Sequence, residues 1–333
     1  MRGRVIIMVI LISLVSSSCA LTSRKANIEH IPREPHRYIA EQRWAEVNGI
    51  RISYIETGRG DPIIFIHGLA GCADNFDPLI EDLSKDYRCI VLDLPGYGNS
   101  EARPEFPYTT KFFAETVVGL MDELGIDKAA VLGHSMGGQT AAYMAIHFPE
   151  RVDKLVLVGS AGVAGGGSGT ALLKAMPLEK IILSALRRVQ KKIDGKSHDE
   201  RLQYLRNLPV DFVVSRLAHE ESDDPAPDPF MDPTWEYYAD FIMTEEIDGF
   251  IHAVVASLTN ALTEDLSADL HKIKAPTLLI WGELDKAVPV EQAAIFNREI
   301  KGSMLVTAKG CYHSVQVDCA DTVIGAMRSF LSM

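Results

Sequence analysis

The segment Gly133-His134-Ser135-Met136-Gly137 sets a serine hydroxyl between glycines. It follows an apolar run, Ala129–Leu132, and opens a helix-like stretch. A serine on so sharp a strand-to-helix turn takes strained backbone angles, and its neighbours must be nearly without side chains for the helix to pack close. The helix N-terminus also aims backbone N–H groups at developing negative charge. These are the features of a nucleophile elbow, with Ser135 as the nucleophile. Serine alone is a weak nucleophile, so the chain must also supply a base and a third group to orient it.

His313 is the candidate base. It lies in Lys309-Gly310-Cys311-Tyr312-His313-Ser314, just past the last strand-like run, Met304–Val306. His134 flanks the serine and is expected to point the wrong way. His147, His219, His252 and His271 fall on helix-like or linker stretches and read as surface or packing residues. Asp285 is the candidate acid, in Trp281-Gly282-Glu283-Leu284-Asp285 after the run Thr277–Ile280. That is the carboxyl end of a strand, where an open sheet places its site. Glu283 and Asp265 are the alternatives. An oxyanion needs two donors. Met136 N–H follows the nucleophile, and Leu69 N–H comes from the loop His67-Gly68-Leu69-Ala70-Gly71. Gly68 lets that backbone fold close, and His67 is expected to brace it through hydrogen bonds.

Such residues need a scaffold to meet. Residues 44–57 alternate apolar and polar around Asn48-Gly49 and read as a β-hairpin. Ile63–Ile66, Cys89–Leu92, Ala129–Leu132, Leu155–Val158 and Thr277–Ile280 are short apolar runs, as strands buried on both faces require. Helix-like stretches near 75–84, 111–124 and 136–148 alternate with them, which predicts an α/β fold with a mostly parallel sheet. The rhythm breaks after Gly162 with Gly165, Gly166, Gly167 and Gly169. A helix-rich block follows, periodic over Leu172–Val189, 198–206 and 246–261, with an acidic, proline-rich loop from Glu220 to Pro233. The sheet resumes at Thr277. This predicts a core over 44–162, an inserted helical cap over 163–245 and a second core segment over 246–333. Leu172, Leu173, Met176, Ile182, Leu183, Leu186 and Val189 form an apolar stripe that either holds the cap together or roofs a pocket.

His67-Gly68, Asp93-Leu94-Pro95-Gly96-Tyr97-Gly98-Asn99-Ser100, the elbow, Trp281-Gly282 through Pro289, and Gly310 through His313 together resemble the α/β-hydrolase superfamily in matching order. The resemblance covers about residues 44–333 and implies the α/β-hydrolase fold and a Ser135–Asp285–His313 triad. Within the superfamily the chain looks like capped bacterial lipases and esterases. It is also similar to carbon–carbon bond hydrolases that cleave ring-fission products, and to cofactor-free haloperoxidase-like esterases. Serine at 135 separates it from haloalkane dehalogenases and epoxide hydrolases, whose nucleophile there is aspartate. The reaction so implied is hydrolysis of a carboxylic ester through an acyl-serine, on a small-molecule or lipid ester, without metal or organic cofactor. Carbon–carbon bond hydrolysis is one alternative reading. A non-catalytic binding protein on the same fold is the other.

The formal net charge is −12, which lacks the basic footprint of a nucleic-acid partner. The N-terminus carries an address. Arg2 and Arg4 precede an apolar run from Val5 to Val15, then Ser16, Ser17, Ser18, Cys19 and Ala20. This is the layout of a secretory signal peptide over 1–20. Small residues before Cys19 also resemble a bacterial lipoprotein signal over 1–18, with lipid on Cys19 as a membrane anchor; Ser16 departs from that pattern. Residues 21–43 are polar and read as a tether. The chain is therefore expected to be exported and held at a membrane, or else periplasmic or secreted. Export permits disulfides among Cys72, Cys89, Cys311 and Cys319, but their spacing leaves the connectivity open.

Overall fold

In the computed structural model the described residues are 41–163, 178–206 and 246–333. Cys19, the glycine run 165–169, Leu172, Leu173, Met176, His219 and the acidic loop lie outside them. Eight strands form one sheet: β1 (Gln42–Val47), β2 (Ile50–Thr57), β3 (Pro62–Ile66), β4 (Arg88–Leu92), β5 (Ala129–His134), β6 (Val152–Val158), β7 (Thr277–Gly282) and β8 (Met304–Ala308). Their spatial order is β1-β2-β4-β3-β5-β6-β7-β8. β1 and β2 pair antiparallel, as do β2 and β4; every other pair is parallel. The hairpin turn is Asn48-Gly49, both with positive φ (53° and 77°), the backbone that a two-residue turn between right-twisted strands demands.

The helices are α1 (Asp77–Leu83, after a 3₁₀ turn at Ala73–Phe76), α2 (Thr110–Glu123), α3 (Met136–His147), α4 (Leu178–Ile193), α5 (His198–Arg206), α6 (Glu246–Thr263), α7 (Glu291–Glu299), α8 (Val315–Asp318) and α9 (Ala320–Leu331). Successive strand residues face opposite sides of the sheet, so each central strand feeds two cores. Ile64, Ile66, Val131, Leu155, Leu157 and Leu279 pack with Phe113, Val117, Leu120 and Met144 of α2 and α3. Ile63, Phe65, Leu132, Val156, Leu278 and Ile280 pack with Leu79 and Leu83 of α1 and Val323, Met327 and Phe330 of α9.

Between β6 and β7 the chain leaves the sheet, and α4, α5 and α6 belong to this excursion. α4 packs on α6, and α6 on α2. From the predicted apolar stripe, Val189 is buried and Leu183 packs partly buried against the core.

The chain runs from β3 outward to β4, then crosses back to place β5 on β3's other side. The strand order therefore switches between β3 and β5. Crevices of this kind lie beyond the carboxyl ends of the strands at the switch point. The loop after β3 begins at His67, and the turn after β5 begins at Ser135.

Candidate active site

Ser135 sits between β5 and α3 with φ 54° and ψ −118°. A non-glycine residue keeps such a backbone only when it is held firmly on all sides. Here Ser135 N–H donates to Val158 O at 3.0 Å, and Ser135 O accepts from Ala161 N–H at 3.0 Å and Gln139 N–H at 3.1 Å. The turn is thus pinned to the end of β6. The glycines have steric reasons. A Cβ on Gly133 would come within 2.1 Å of Gly137 O, and one on Gly137 within 2.2 Å of Ile66 O.

His313, past the end of β8, turns its ring to the serine. Its Nε2 lies 3.0 Å from Ser135 Oγ and its Nδ1 2.8 Å from Asp285 Oδ2. The Asp285 side chain is fully buried, and its Oδ1 accepts from Ala287 N–H and Val288 N–H, both at 2.9 Å. One carboxylate oxygen is thereby fixed by backbone and the other is left for the imidazole. His313 keeps a quarter of its side chain exposed, so the serine–histidine edge can be reached.

The alternative acids stand elsewhere. Asp265 accepts from the backbone and hydroxyl of Ser267 in a local turn. Glu283 accepts from Gly310 N–H at 3.0 Å, bracing the loop that carries His313.

The loop after β3 lies against the nucleophile. A Cβ on Gly68 would sit 3.0 Å from Ser135 Cβ. His67 is buried; its Nδ1–H donates to Gly68 O at 2.8 Å and its Nε2 accepts from Leu94 N–H at 2.9 Å. Burial pushes its pKa down to about 4, so it braces the loop as a neutral ring. Leu69 and Met136, the predicted oxyanion donors, therefore occupy the two segments that flank Ser135.

Four contributors escaped the sequence. His134 is not remote from the chemistry: its Nε2–H donates to His313 O at 3.1 Å, and the two rings are 4.8 Å apart. Burial, and then the neighbouring His313, hold its pKa well below the ordinary value, so it does this uncharged. Gly159, at φ 51°, lets the end of β6 pass beneath the acid–base pair; a Cβ there would meet Asp285 Oδ2 at 3.2 Å and His313 Nδ1 at 3.3 Å. Cys311 and Cys319 form a disulfide that brackets His313. Asp318, partly buried on α8, has its pKa raised to about 6 by burial, against the pull of His313.

Asp93 proves to be structural. This buried carboxylate accepts from Ser53 Oγ–H, Ala73 N–H and Asn99 N–H at 2.8 to 3.0 Å. It ties the end of β4 to β2 and to the turn before α1.

A family model described as alpha/beta hydrolase fold matches residues 61–319. The chain is an α/β hydrolase. This hydrolase is 29% identical over 314 residues to a 2-hydroxy-6-oxononadienedioate/2-hydroxy-6-oxononatrienedioate hydrolase of Klebsiella pneumoniae, covering 90% of this chain and 98% of that one. Among solved structures it is similar to a bacterial membrane phospholipase A (TM-score 0.65, 24% identity, 88% and 86% coverage). It is also similar to the enol-lactonase of Burkholderia xenovorans (TM-score 0.62, 22% identity, 87% and 100% coverage). At those identities the structural likenesses speak for the fold.

Proposed function

We propose that this hydrolase cleaves carboxylic esters through an acyl-Ser135 intermediate. The observation that carries the proposal is the continuous hydrogen-bonded line from Ser135 Oγ through the His313 ring to Asp285 Oδ2, at 3.0 and 2.8 Å. Ser135 Oγ attacks the carbonyl carbon while His313 Nε2 takes its proton. Asp285 keeps the Nδ1–H tautomer and stabilises the imidazolium. Leu69 and Met136 N–H groups receive the oxyanion. His313 then protonates the leaving alcohol, and water repeats the sequence on the acyl-enzyme.

Carbon–carbon bond hydrolysis is the second reading, favoured by the similarity to the dienedioate hydrolase. Export, with lipid on Cys19, remains part of the proposal. Besides the N-terminal pattern, the Cys311–Cys319 disulfide supports it, because disulfides persist in oxidising compartments.

Turnover of p-nitrophenyl esters from two to twelve carbons, beside a 2-hydroxy-6-oxo-dienedioate, tests the choice. Ester turnover should dominate, and Ser135→Ala should lower it by about a millionfold. Preferred turnover of the dienedioate would select the second reading. Failure of a serine-reactive phosphonate to label the protein would leave only a binding role.

A further inference from the structure

α4 carries a charge pattern that the reaction does not use. Over residues 178–196 there are six cations and two acids, a local net of +4 in a chain of −12. Lys180, Arg187 and Lys191 share one line of the helix at i, i+7 and i+11, with Arg188 and Lys192 on the adjoining line. All five are exposed. Val189 and Ile193, on the opposite side, are buried in the core. Arg187 pairs with Asp248 on α6. Lys180, Arg188, Lys191 and Lys192 make no ion pair among the described residues, although acids outnumber bases in the chain 45 to 33.

Self-stabilisation of the helix does not account for this. Arg187/Lys191 and Arg188/Lys192 are like charges at i,i+4, which repel. Cations favour a helix C-terminus, but only within its last turn, which here reaches Lys191 and Lys192. Lys180 and Arg188 lie outside it. Exposed Lys and Arg clustered on one helix face, with the apolar face taken up by the protein's own core, are drawn to an anionic lipid surface by charge. Charges beyond about 8 Å are screened at physiological salt, so the acidic remainder of the molecule does not cancel the patch.

A second feature points the same way. Leu284 and Tyr312, next to Asp285 and His313, are large apolar side chains left 42% and 38% exposed. They flank the triad at the sheet end from which the excursion carrying α4 departs after β6. Apolar groups beside the triad suit acyl chains, and cations on the excursion suit headgroups.

We propose that the exposed face of α4 docks this hydrolase on anionic phospholipid headgroups. The surface acts independently of which bond Ser135 breaks.

The test is partition of the full chain between buffer and vesicles of pure phosphatidylcholine or of phosphatidylcholine with phosphatidylglycerol. An N-terminal lipid would insert into both, so the ratio of the two reads the charge effect alone. The ratio should favour phosphatidylglycerol and shrink as salt rises. The fourfold variant Lys180→Gln, Arg188→Gln, Lys191→Gln, Lys192→Gln should lower it on the order of a thousandfold. Glutamine keeps helix propensity at these positions. A control variant takes glutamine at Lys85, Lys111, Lys128 and Lys272, exposed lysines paired elsewhere on the surface, and should change the ratio little. Equal partition into both vesicles, or equal losses in the two variants, would overturn the proposal. So would tighter capture of transfer RNA that the fourfold variant abolishes, which would assign the face to nucleic acid. If the fourfold variant melts early, the pair Lys191→Glu, Lys192→Glu serves in its place.

Discussion

A carboxylate that orients an imidazole must have one oxygen held and the other offered. Asp285 meets this condition, with two backbone donors on Oδ1 and His313 on Oδ2. Asp285→Asn should therefore favour the wrong histidine tautomer and cost about ten-thousandfold in kcat. Asp265→Asn changes a carboxylate that does not touch His313 and should stay near wild type; equal losses in the two variants would move the acid elsewhere. Asp318 gives a pH test. Its folded pKa, about 6, lies above its ordinary value of 3.8. The folded state thus holds the proton more tightly, and this stabilisation, full below about 4, is lost as pH rises through 6. Asp318→Asn should melt with wild type at pH 4 and a few degrees higher at pH 8. A constant difference across that range would discount the ionisation. The meeting of Ser135, His313 and Asp285 was legible because chemistry restricts their types and the elbow and strand ends restrict their places. His134 was not. Its role depends on the backbone of a residue 179 positions away, and no local pattern encodes that meeting. Gly159 was hidden for the same reason, whereas the disulfide joins cysteines only 8 positions apart and was hidden because cysteine spacing does not fix connectivity.

At the scale of elements, steric contact decides which small residues are obligatory. Gly137, in the first turn of α3, lies beneath the carbonyls of Ile66 and His67, where a Cβ would lie within 2.4 Å of both. Gly325 lies exposed on α9, and a Cβ there meets nothing within 4 Å. Gly137→Ala should cost about 3 kcal/mol or more by overpacking. Gly325→Ala should add about 0.5–1 kcal/mol, because alanine restricts the unfolded chain and suits a helix. Urea midpoints of the two variants would check both signs. The hairpin and the buried strands could be read from alternation and apolar runs. The predicted helices near 75–84, 111–124 and 136–148 appear at Asp77–Leu83, Thr110–Glu123 and Met136–His147. The first is preceded by a 3₁₀ turn, where Ala73 N–H bonds to Asp93 rather than continuing a helix. Periodicity also gave α4, but not its cationic face, because apolar patterning reports what is buried.

Across the whole molecule, Ser135, Asp285 and His313 hang from three strands of one sheet with a core on each face. Phosphonate labelling of Ser135 should therefore vanish at the same urea concentration as the tertiary signal. Labelling lost well before it would mean that the His313 loop opens alone. The spatial order β5-β6-β7-β8 also follows the order of synthesis. Ser135 emerges first and His313 178 residues later. Until β7 and β8 dock, the serine has no partner and is an ordinary alcohol. The growing chain is thus silent toward every ester it meets while being made. A hydrolase assembled in this order needs no separate inhibitor to protect the cell that builds it, because the order of its strands withholds His313 until folding is complete.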